Sequence, residues 1–339
     1  MELLTKLSRY PTDWTPCPLR ARSYTSDIKN HRTGALLHRE STTWKETQTK
    51  KAEFLTRTVP VAVIHGCGGS GKSFALQDLI RNNPKMDIGV VLPTNELRLD
   101  WMSKLVETRA EVFKTFERAL TCVSPDTVIF DDYTKLPNGY LEAYVAIQPK
   151  LKLMILTGDS RQSAHHEQNE QAMIAQLGPA SEVFKPLCRY YINATHRNKR
   201  DLANRLGVYS EKEGHTSITM GFQPIRQVHM LVPSLLKKVA YAELGHKVST
   251  YAGCQGITAP KIQILLDADT PMCSREVLYT ALSRAVHSIH FINTGPNHSS
   301  FWEKLEATPY LKAFLSTVRD QAVAAHQLPK AEPTRAKHT

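Results

Sequence analysis

A glycine-rich segment that follows a short β-branched run constrains the fold more than any other feature of this sequence. The segment reads Gly66-Cys67-Gly68-Gly69-Ser70-Gly71-Lys72-Ser73. Val59–His65 before it has the apolar character of a buried parallel strand, and Phe74–Asn82 after it has helical spacing without a breaker. A strand that turns through glycines into a helix begins a β-α-β unit, so the sequence predicts an α/β fold.

Apolar runs alternate with helical stretches through both halves of the chain. The first half has four predicted strands, which are Val59–His65, Ile88–Leu92, Thr127–Phe130 and Leu151–Leu156. The second half has five, which are Tyr190–Ile192, Val228–Val232, Val248–Tyr251, Ile262–Leu266 and Ser288–Asn293. Further helices are predicted between them, at Glu96–Glu107, Tyr140–Ala146, Leu202–Leu206, Leu235–Gly245 and Glu276–Ala285. Right-handed crossovers then bring the carboxyl ends of the strands to one edge of each sheet, where ligands bind.

The length of 339 residues suits more than one domain. We predict an accessory region over 1–58, a first α/β domain over 59–180, a second over 181–325 and a flexible tail or linker over 326–339. The accessory region is polar and basic, with a short helical pattern around Trp44–Leu55, and Phe314–Ala325 is a plausible terminal helix. Apolar runs of membrane-spanning length and a secretory signal are both absent from the sequence, which favours a soluble protein.

The glycine segment has the pattern of a phosphate-binding loop. Glycines let successive backbone amides converge on a phosphate, and the start of the following helix adds a favourable dipole. The predicted nucleotide-binding residues are Gly66, Gly68, Gly69, Ser70, Gly71, Lys72 and Ser73. Lys72 is expected to bridge the β- and γ-phosphates and Ser73 to bind Mg²⁺.

Two acidic residues follow the buried run at 128–130. Asp131 is the expected Mg²⁺ ligand and Asp132 the expected base or positioner of an attacking water. Taken alone, such a pair would mark an Asp-rich turn after a strand as often as a catalytic site. The phosphate loop upstream favours the catalytic interpretation. Gln162, near the end of the next apolar run, is a candidate sensor of the γ-phosphate and of that water, although Gly158-Asp159 is also typical of a simple turn.

Charge and metal-binding patterns leave alternatives open. Lys and Arg total 43 against 32 Asp and Glu, a net charge of +11, which suits a polyanionic partner and suits plain solubility equally well. The pair His165-His166 beside Glu167 could hold a metal, but a solvated polar loop is favoured because no second ligand cluster accompanies it. The six scattered cysteines favour reduced thiols.

The motifs in their order resemble those of superfamily 1 helicases. Beyond the segments above, the series includes Val91-Leu92-Pro93-Thr94-Asn95, Thr195-His196-Arg197, Thr250-Tyr251-Ala252-Gly253-Cys254-Gln255-Gly256 and Tyr279-Thr280-Ala281-Leu282-Ser283-Arg284-Ala285. The set is most similar to the helicase region of replicases from positive-strand RNA viruses of the alphavirus-like group, and within it to plant flexiviruses such as potexviruses. The resemblance covers about residues 59–295.

This resemblance implies two RecA-like domains that bind ATP or another NTP with Mg²⁺. It implies NTP hydrolysis, RNA unwinding and, in several members, removal of the RNA 5′-γ-phosphate at the same site. Arg197 and Arg284 are implied to reach the γ-phosphate. Gln255 and Gly256 are implied to bind the nucleotide, and Gln255 to couple it to RNA. Many relatives have Asp-Glu where this chain has Asp-Asp, so the shorter side chain of Asp132 puts its reach in doubt.

The implied RNA-binding residues are Pro93, Thr94, Asn95, Thr250 and Tyr251. The implied partners are single-stranded and duplex RNA, other replicase domains or viral proteins, and the implied location is the host cytoplasm at viral replication complexes. Trp101 and Trp302 could stack on bases, but packing roles are favoured.

Two other functions are weighed against an RNA helicase. A helicase-like viral movement protein would share the motifs, but such chains usually have little before the phosphate loop, whereas this one has 58 residues before Val59. A small-molecule kinase with a phosphate loop would lack the motifs at 195–197, 250–256 and 279–285.

Overall fold

Two sheets of mostly parallel strands, each with flanking helices, carry the fold. The computed structural model describes residues 16–19, 57–136, 140–162, 184, 188, 191–296 and 298–319. Within the chain, contacts define two compact units, residues 1–196 and residues 197–339. The predicted α/β class with two parallel sheets is confirmed.

Several predictions fall outside the described residues. They are the helical pattern around Trp44–Leu55, most of the accessory region 1–58, the pair His165-His166, the end of the predicted helix Phe314–Ala325 and the tail 326–339. Within the ranges that are described, no helix is long and apolar enough to cross a membrane.

The first unit contains seven strands and four α-helices among its described residues. The strands are β1 (Pro16–Leu19), β2 (Arg57–Gly66), β3 (Ile88–Leu92), β4 (Phe113–Thr115), β5 (Thr127–Asp131), β6 (Leu153–Gly158) and β7 (Tyr191–Ile192). The helices are α1 (Lys72–Asn82), α2 (Asn95–Lys104), α3 (Phe116–Leu120) and α4 (Tyr140–Ile147). The order across the sheet is β1-β2-β6-β5-β3-β4, with β7 beside the end of β2; all pairs are parallel except β1 with β2.

Helices on both faces explain why the strand sequences are continuously apolar. Every residue of β3 and β5 is buried. Along β2, Val61 and Val63 join one core cluster while Ala62 and Ile64 join the cluster on the other face, as the two-residue period of a strand requires. A sheet covered in this way leaves its strand ends, rather than its faces, accessible to a ligand.

The second unit has its own parallel sheet in the order β10-β9-β11-β12-β8. Its strands are β8 (Ser217–Gly221), β9 (His229–Val232), β10 (Val248–Thr250), β11 (Ala259–Leu266) and β12 (Ala285–Asn293). Its helices are α5 (Arg200–Arg205), α6 (Leu235–Glu243), α7 (Arg275–Leu282), α8 (Ser299–Ala307) and α9 (Leu311–Leu315). Met230, Val232, Leu265 and Ile292 form a core cluster against this sheet.

The assignments of four strands differ from the sequence prediction. Tyr190–Ile192 was assigned to the second half, but β7 pairs with the end of β2 and belongs to the first sheet. The division between the units consequently lies at His196/Arg197, whereas the sequence prediction placed it at 180/181. Strands β1, β4 and β8 were not predicted. Strand β8 is an edge strand with no fully buried residue, so it lacks the apolar run that marks the predicted strands.

Candidate nucleotide and nucleic-acid site

The phosphate-loop glycines are required by backbone geometry. Gly69 and Gly71 have φ of 78° and 87°, in the left-handed region that side chains disfavour. A Cβ on Gly66 would lie 2.7 Å from Ser70 Oγ and 2.8 Å from Ile192 Cβ. Gly69 and Gly71 therefore shape the turn, and Gly66 allows β7 to approach the loop.

Lys72 is buried within the loop it follows. Its Nζ donates to Gly66 O at 2.7 Å and to Cys67 O at 3.0 Å, and lies 3.4 Å from Ser70 Oγ. These oxygens hold the ammonium group at the turn between β2 and α1. A phosphate bound by the loop would therefore meet a positive charge that is already in position.

Asp131 and Ser73 meet at the carboxyl edge of the first sheet. Ser73 Oγ donates to the two Asp131 carboxylate oxygens at 3.0 and 3.1 Å. A hydroxyl and a carboxylate are hard oxygen donors of the kind that Mg²⁺ prefers, so these residues fit the predicted ion.

Two further donors orient the Asp131 carboxylate. The Thr157 hydroxyl at the end of β6 donates to Oδ1, and the Trp101 indole Nε1 donates to Oδ2 at 2.7 Å. Trp101 is fully buried, which agrees with the favoured packing role and excludes base stacking in this conformation. Its bond to Asp131 had no signal in the sequence, because α2 and β5 meet only in the folded sheet.

The turn after β5 has an unusual backbone. Asp132 has φ 51° and ψ 42°, which is uncommon for a residue other than glycine, although aspartate tolerates it better than most. Behind it, Tyr133 is buried, and its hydroxyl lies 2.6 Å from His65 Nε2. Burial raises the pKa of the Tyr133 phenol well above its ordinary value, so the hydroxyl stays protonated. This bond ties the turn to the strand that enters the phosphate loop.

Gln162 is held by a buried carboxylate that sequence reasoning missed. Asp159 accepts from Gln162 Nε2 at 2.8 Å and from the Tyr191 hydroxyl at 2.6 Å. Because a carboxylate only accepts, the amide nitrogen of Gln162 must face it, and the amide oxygen is the end that remains to accept a hydrogen bond from water. The position of Asp159 just after a predicted strand was the available signal.

The two predicted arginines of the second unit are linked through Asn198, another residue that sequence reasoning missed. Asn198 Nδ2 donates to Ser283 O at 3.0 Å and to Ala285 O at 2.8 Å, the carbonyls on either side of Arg284. Arg284 is buried; its Nε donates to Thr280 O and its Nη2 to Ser283 Oγ, both at 2.7 Å. Arg197, next to Asn198 in sequence, is half-buried.

Gln255 lies on the segment that follows β10. Both polar atoms of its side-chain amide are buried without a hydrogen-bond partner among the residues that the structure describes. Gly256 beside it is exposed, with φ 83°.

The predicted RNA-binding residues lie at or just after strand ends, and four of the five are at least partly exposed. Thr94 and Asn95 are exposed and Pro93 half-exposed after β3, where Thr94 Oγ1 caps α2 by accepting from Leu97 N at 3.2 Å. Thr250, at the end of β10, is also half-exposed, and its Oγ1 accepts from Gly253 N at 2.9 Å.

Tyr251 is the exception. Its ring is fully buried, and its hydroxyl donates to Leu265 O in the core of the second unit. The ring is therefore closed to RNA in this conformation, and the RNA-binding role of Tyr251 stays a prediction.

The fold and loop of the first unit define the P-loop class of nucleotide-binding proteins. A protein-family model described as the viral superfamily 1 RNA helicase core domain matches residues 62–293, and the chain belongs to that family. This confirms the predicted family.

Similar proteins place that match in a viral context. The chain is 60% identical over 331 residues to the RNA replication protein of Papaya mosaic potexvirus, covering 98% of this chain and 21% of that protein. It is 55% identical over 335 residues to the RNA replication protein of Potato virus X (strain HB), covering 98% of this chain and 23% of that protein. The chain thus spans less than a quarter of the length of either relative.

Among solved structures, the fold resembles a complex structure of arterivirus nonstructural protein 10 (helicase) with DNA. The TM-score is 0.52 at 14% identity, covering 74% of this chain and 69% of that chain. At this identity the similarity is one of fold.

Proposed function

We propose that this chain is an ATP- or NTP-hydrolysing motor that translocates on single-stranded RNA and unwinds RNA duplexes. The observation that carries the proposal is the convergence of Lys72, Ser73 and Asp131 at one sheet edge, with Ser73 Oγ within 3.1 Å of both Asp131 oxygens. Membership of the viral helicase family supplies the reaction class.

In this proposal the first unit binds the triphosphate. The loop from Gly66 to Ser73 surrounds the phosphates, and Lys72 exchanges its loop carbonyls for phosphate oxygens. Ser73 and Asp131 would hold Mg²⁺, which when bound neutralises charge on the β- and γ-phosphates. Thr157 and Trp101 keep the Asp131 carboxylate in one orientation.

Hydrolysis transfers the γ-phosphoryl group to water and releases the diphosphate. Asp132 and the amide oxygen of Gln162 would orient the attacking water. The Asp132 carboxylate would accept its proton as the new P–O bond forms and the bond to the diphosphate breaks. The family resemblance implies that Arg197 and Arg284 neutralise the charge that spreads over the phosphoryl oxygens. Arginines in this role contribute about 10³–10⁵-fold in rate.

RNA is proposed to follow strand ends that carry Pro93, Thr94, Asn95 and Thr250. Support comes from a cavity of about 470 Å³ beside Asn95, whose lining includes three basic side chains and one acidic one: Arg98, Lys114, Arg118 and Glu111. Cations next to exposed hydroxyl and amide groups suit a phosphodiester backbone. The fold resemblance to a helicase solved with DNA supports nucleic acid as the ligand class. Gln255 and Gly256 are proposed to couple the nucleotide to the bound RNA.

The same site is proposed to remove the 5′-γ-phosphate of RNA, since that phosphate has the chemistry of a nucleotide γ-phosphate. We propose further that the chain acts beside other domains of a replication protein, in the host cytoplasm at replication complexes. Matches to replication proteins over 98% of this chain favour this assignment over a movement protein.

The test is turnover with and without single-stranded RNA in a matched pair of lysine variants. Lys72→Ala should reduce ATP hydrolysis at least about 100-fold, since a phosphate-loop lysine stabilises the transition state. Lys152→Ala removes an exposed lysine that pairs with Asp126 at the amino end of β6, and it should leave turnover unchanged.

RNA should stimulate the wild-type rate, and duplexes with a 5′ or a 3′ single-stranded overhang should be unwound from one side only. Turnover that survives Lys72→Ala would remove the proposed site. Stimulation by a small acceptor molecule instead of RNA would indicate a kinase.

A further inference from the structure

The last segment of the first unit lies along the phosphate loop. This segment, residues 192–196, is called here the connector, because the next residue, Arg197, begins the second unit. Four hydrogen bonds join connector and loop: Cys67 N to Ile192 O (3.1 Å), Cys67 Sγ to Ala194 O (3.1 Å), Thr195 Oγ1 to Gly68 O (2.8 Å) and His196 N to Gly69 O (2.8 Å).

The connector and the loop also pack closely against each other. The Cβ that any other residue would place at Gly66 would lie 2.8 Å from Ile192 Cβ and 3.2 Å from Ile192 O. The imidazole of His196 lies 4.0 Å from the corresponding Cβ position on Gly71. The connector therefore forms one wall of the loop from its first glycine to its last.

The bonds to Gly68 and Gly69 fix the direction of two peptide units. In a planar trans peptide, the carbonyl and the following N–H point in opposite directions. A carbonyl that is drawn toward the connector turns the next amide N–H away from it. By donating to Gly68 O, the Thr195 hydroxyl thus sets the direction of the Gly69 N–H. By donating to Gly69 O, His196 N sets the direction of the Ser70 N–H in the same way.

We propose that Thr195 is a positioning residue of the nucleotide site. Its hydroxyl holds the Gly68–Gly69 peptide so that the Gly69 amide is directed at a bound phosphate before the nucleotide arrives. This inference rests on the proposed nucleotide binding. Thr195 is 3% exposed, so water does not replace the bond when the hydroxyl is removed.

Thr195→Val is close in volume and removes the hydroxyl, whereas Thr195→Ser retains it. Loss of one buried hydrogen bond that preorganises a loop should raise the Kd for a fluorescent ADP analogue, measured with Mg²⁺ and without RNA, by about 3- to 10-fold. The KM for ATP should rise similarly, with a smaller change in kcat. Thr195→Ser should return both constants to within about twofold of wild type.

Thr216→Val is the matched control. Thr216 is also buried, at 5% exposure, and its hydroxyl donates to a backbone carbonyl distant in sequence, Val286 O at 3.1 Å, but this bond lies within the second unit. Both valine variants should lower the melting temperature to a similar extent, and only Thr195→Val should weaken nucleotide binding.

Hydrogen–deuterium exchange on the wild-type chain tests the proposal without a substitution. Mg²⁺ with the ADP analogue should slow exchange in peptides from the phosphate loop and from the connector together. Protection of the loop without the connector would overturn the inference.

Three affinity results would overturn it as well: wild-type affinity in Thr195→Val, an equal loss in Thr216→Val, or no recovery in Thr195→Ser. Turnover that persists in Lys72→Ala would instead overturn the proposed function itself, so the two failures are distinguishable.

Discussion

Asp131 is the residue on which the polar contacts of the candidate site converge. Ser73, Trp101 and Thr157 all donate to its carboxylate, from α1, from α2 and from the end of β6. Donors behind a metal ligand fix its orientation, and their loss typically lowers metal affinity by about 10- to 100-fold. At the residue scale, the indole of Trp101 is the least expected of the three.

Trp101→Phe tests that indole. The variant keeps an aromatic ring in the core but loses the N–H donor, so Asp131 should be less well oriented. The Mg²⁺ concentration for half-maximal turnover should rise about 10-fold, and calorimetry should show weaker Mg²⁺-dependent ADP binding. The free energy of unfolding should fall by about 1–3 kcal/mol because the smaller ring leaves a cavity.

Phe113→Leu is the control for this cavity. Phe113 packs in the same cluster, with its ring centroid 6.4 Å from that of Trp101, and it makes no bond to Asp131. A similar rise in the Mg²⁺ requirement in Phe113→Leu would mean that packing, rather than the indole N–H, orients the carboxylate.

At the scale of elements, one side chain joins the start of the second unit to the turn between α7 and β12. Asn198 is 3% exposed, and its amide nitrogen donates to the carbonyls of Ser283 and Ala285. Its backbone carbonyl accepts from Ser210 Oγ at 2.6 Å. This arrangement holds the Arg284 backbone in place from both sides.

Asn198→Ala should destabilise the second unit and slow hydrolysis. Two buried carbonyls lose their donor, which should cost about 2–4 kcal/mol of unfolding free energy. The kcat should fall more than the affinity for ATP, since Arg284, which is proposed to act in the transition state, would be displaced. Chemical denaturation and steady-state kinetics measure the two effects.

Asn204→Ala, on the exposed side of α5, is the matched control and should change neither stability nor kcat. If Asn198→Ala were as stable and as active as Asn204→Ala, the link between Asn198 and the Arg284 turn would have no energetic role.

At the scale of the whole molecule, the net charge of +11 bears on the partner. A cationic protein that neutralises RNA phosphates releases counterions, so its affinity falls with salt. For about five to seven phosphate contacts to single-stranded RNA, affinity should fall about 10²- to 10³-fold between roughly 50 and 200 mM salt. Fluorescence anisotropy with a labelled oligonucleotide measures this slope, and a flat response would leave the basic surplus as a solubility charge.

The amino-acid sequence determined the elements and the loop chemistry, because both depend on local spacing. A continuous apolar run followed by Gly66-x-x-x-x-Gly71-Lys72-Ser73 fixes a strand, a turn and a helix within one stretch of chain. Ile88–Leu92 was predicted with the bounds that the structure has, since a fully buried strand is marked at every position. The order of the motifs likewise sufficed to identify the helicase family.

The tertiary structure alone decided which distant residues meet. The bonds of Trp101 to Asp131, of Asn198 to Ser283 and of Thr195 to Gly68 join positions 30, 85 and 127 residues apart. It also placed β7 in the first sheet and turned Tyr251 into the core of the second unit. Such contacts depend on how elements pack in three dimensions, and spacing along the chain carries no information about a hydrogen bond between two of them.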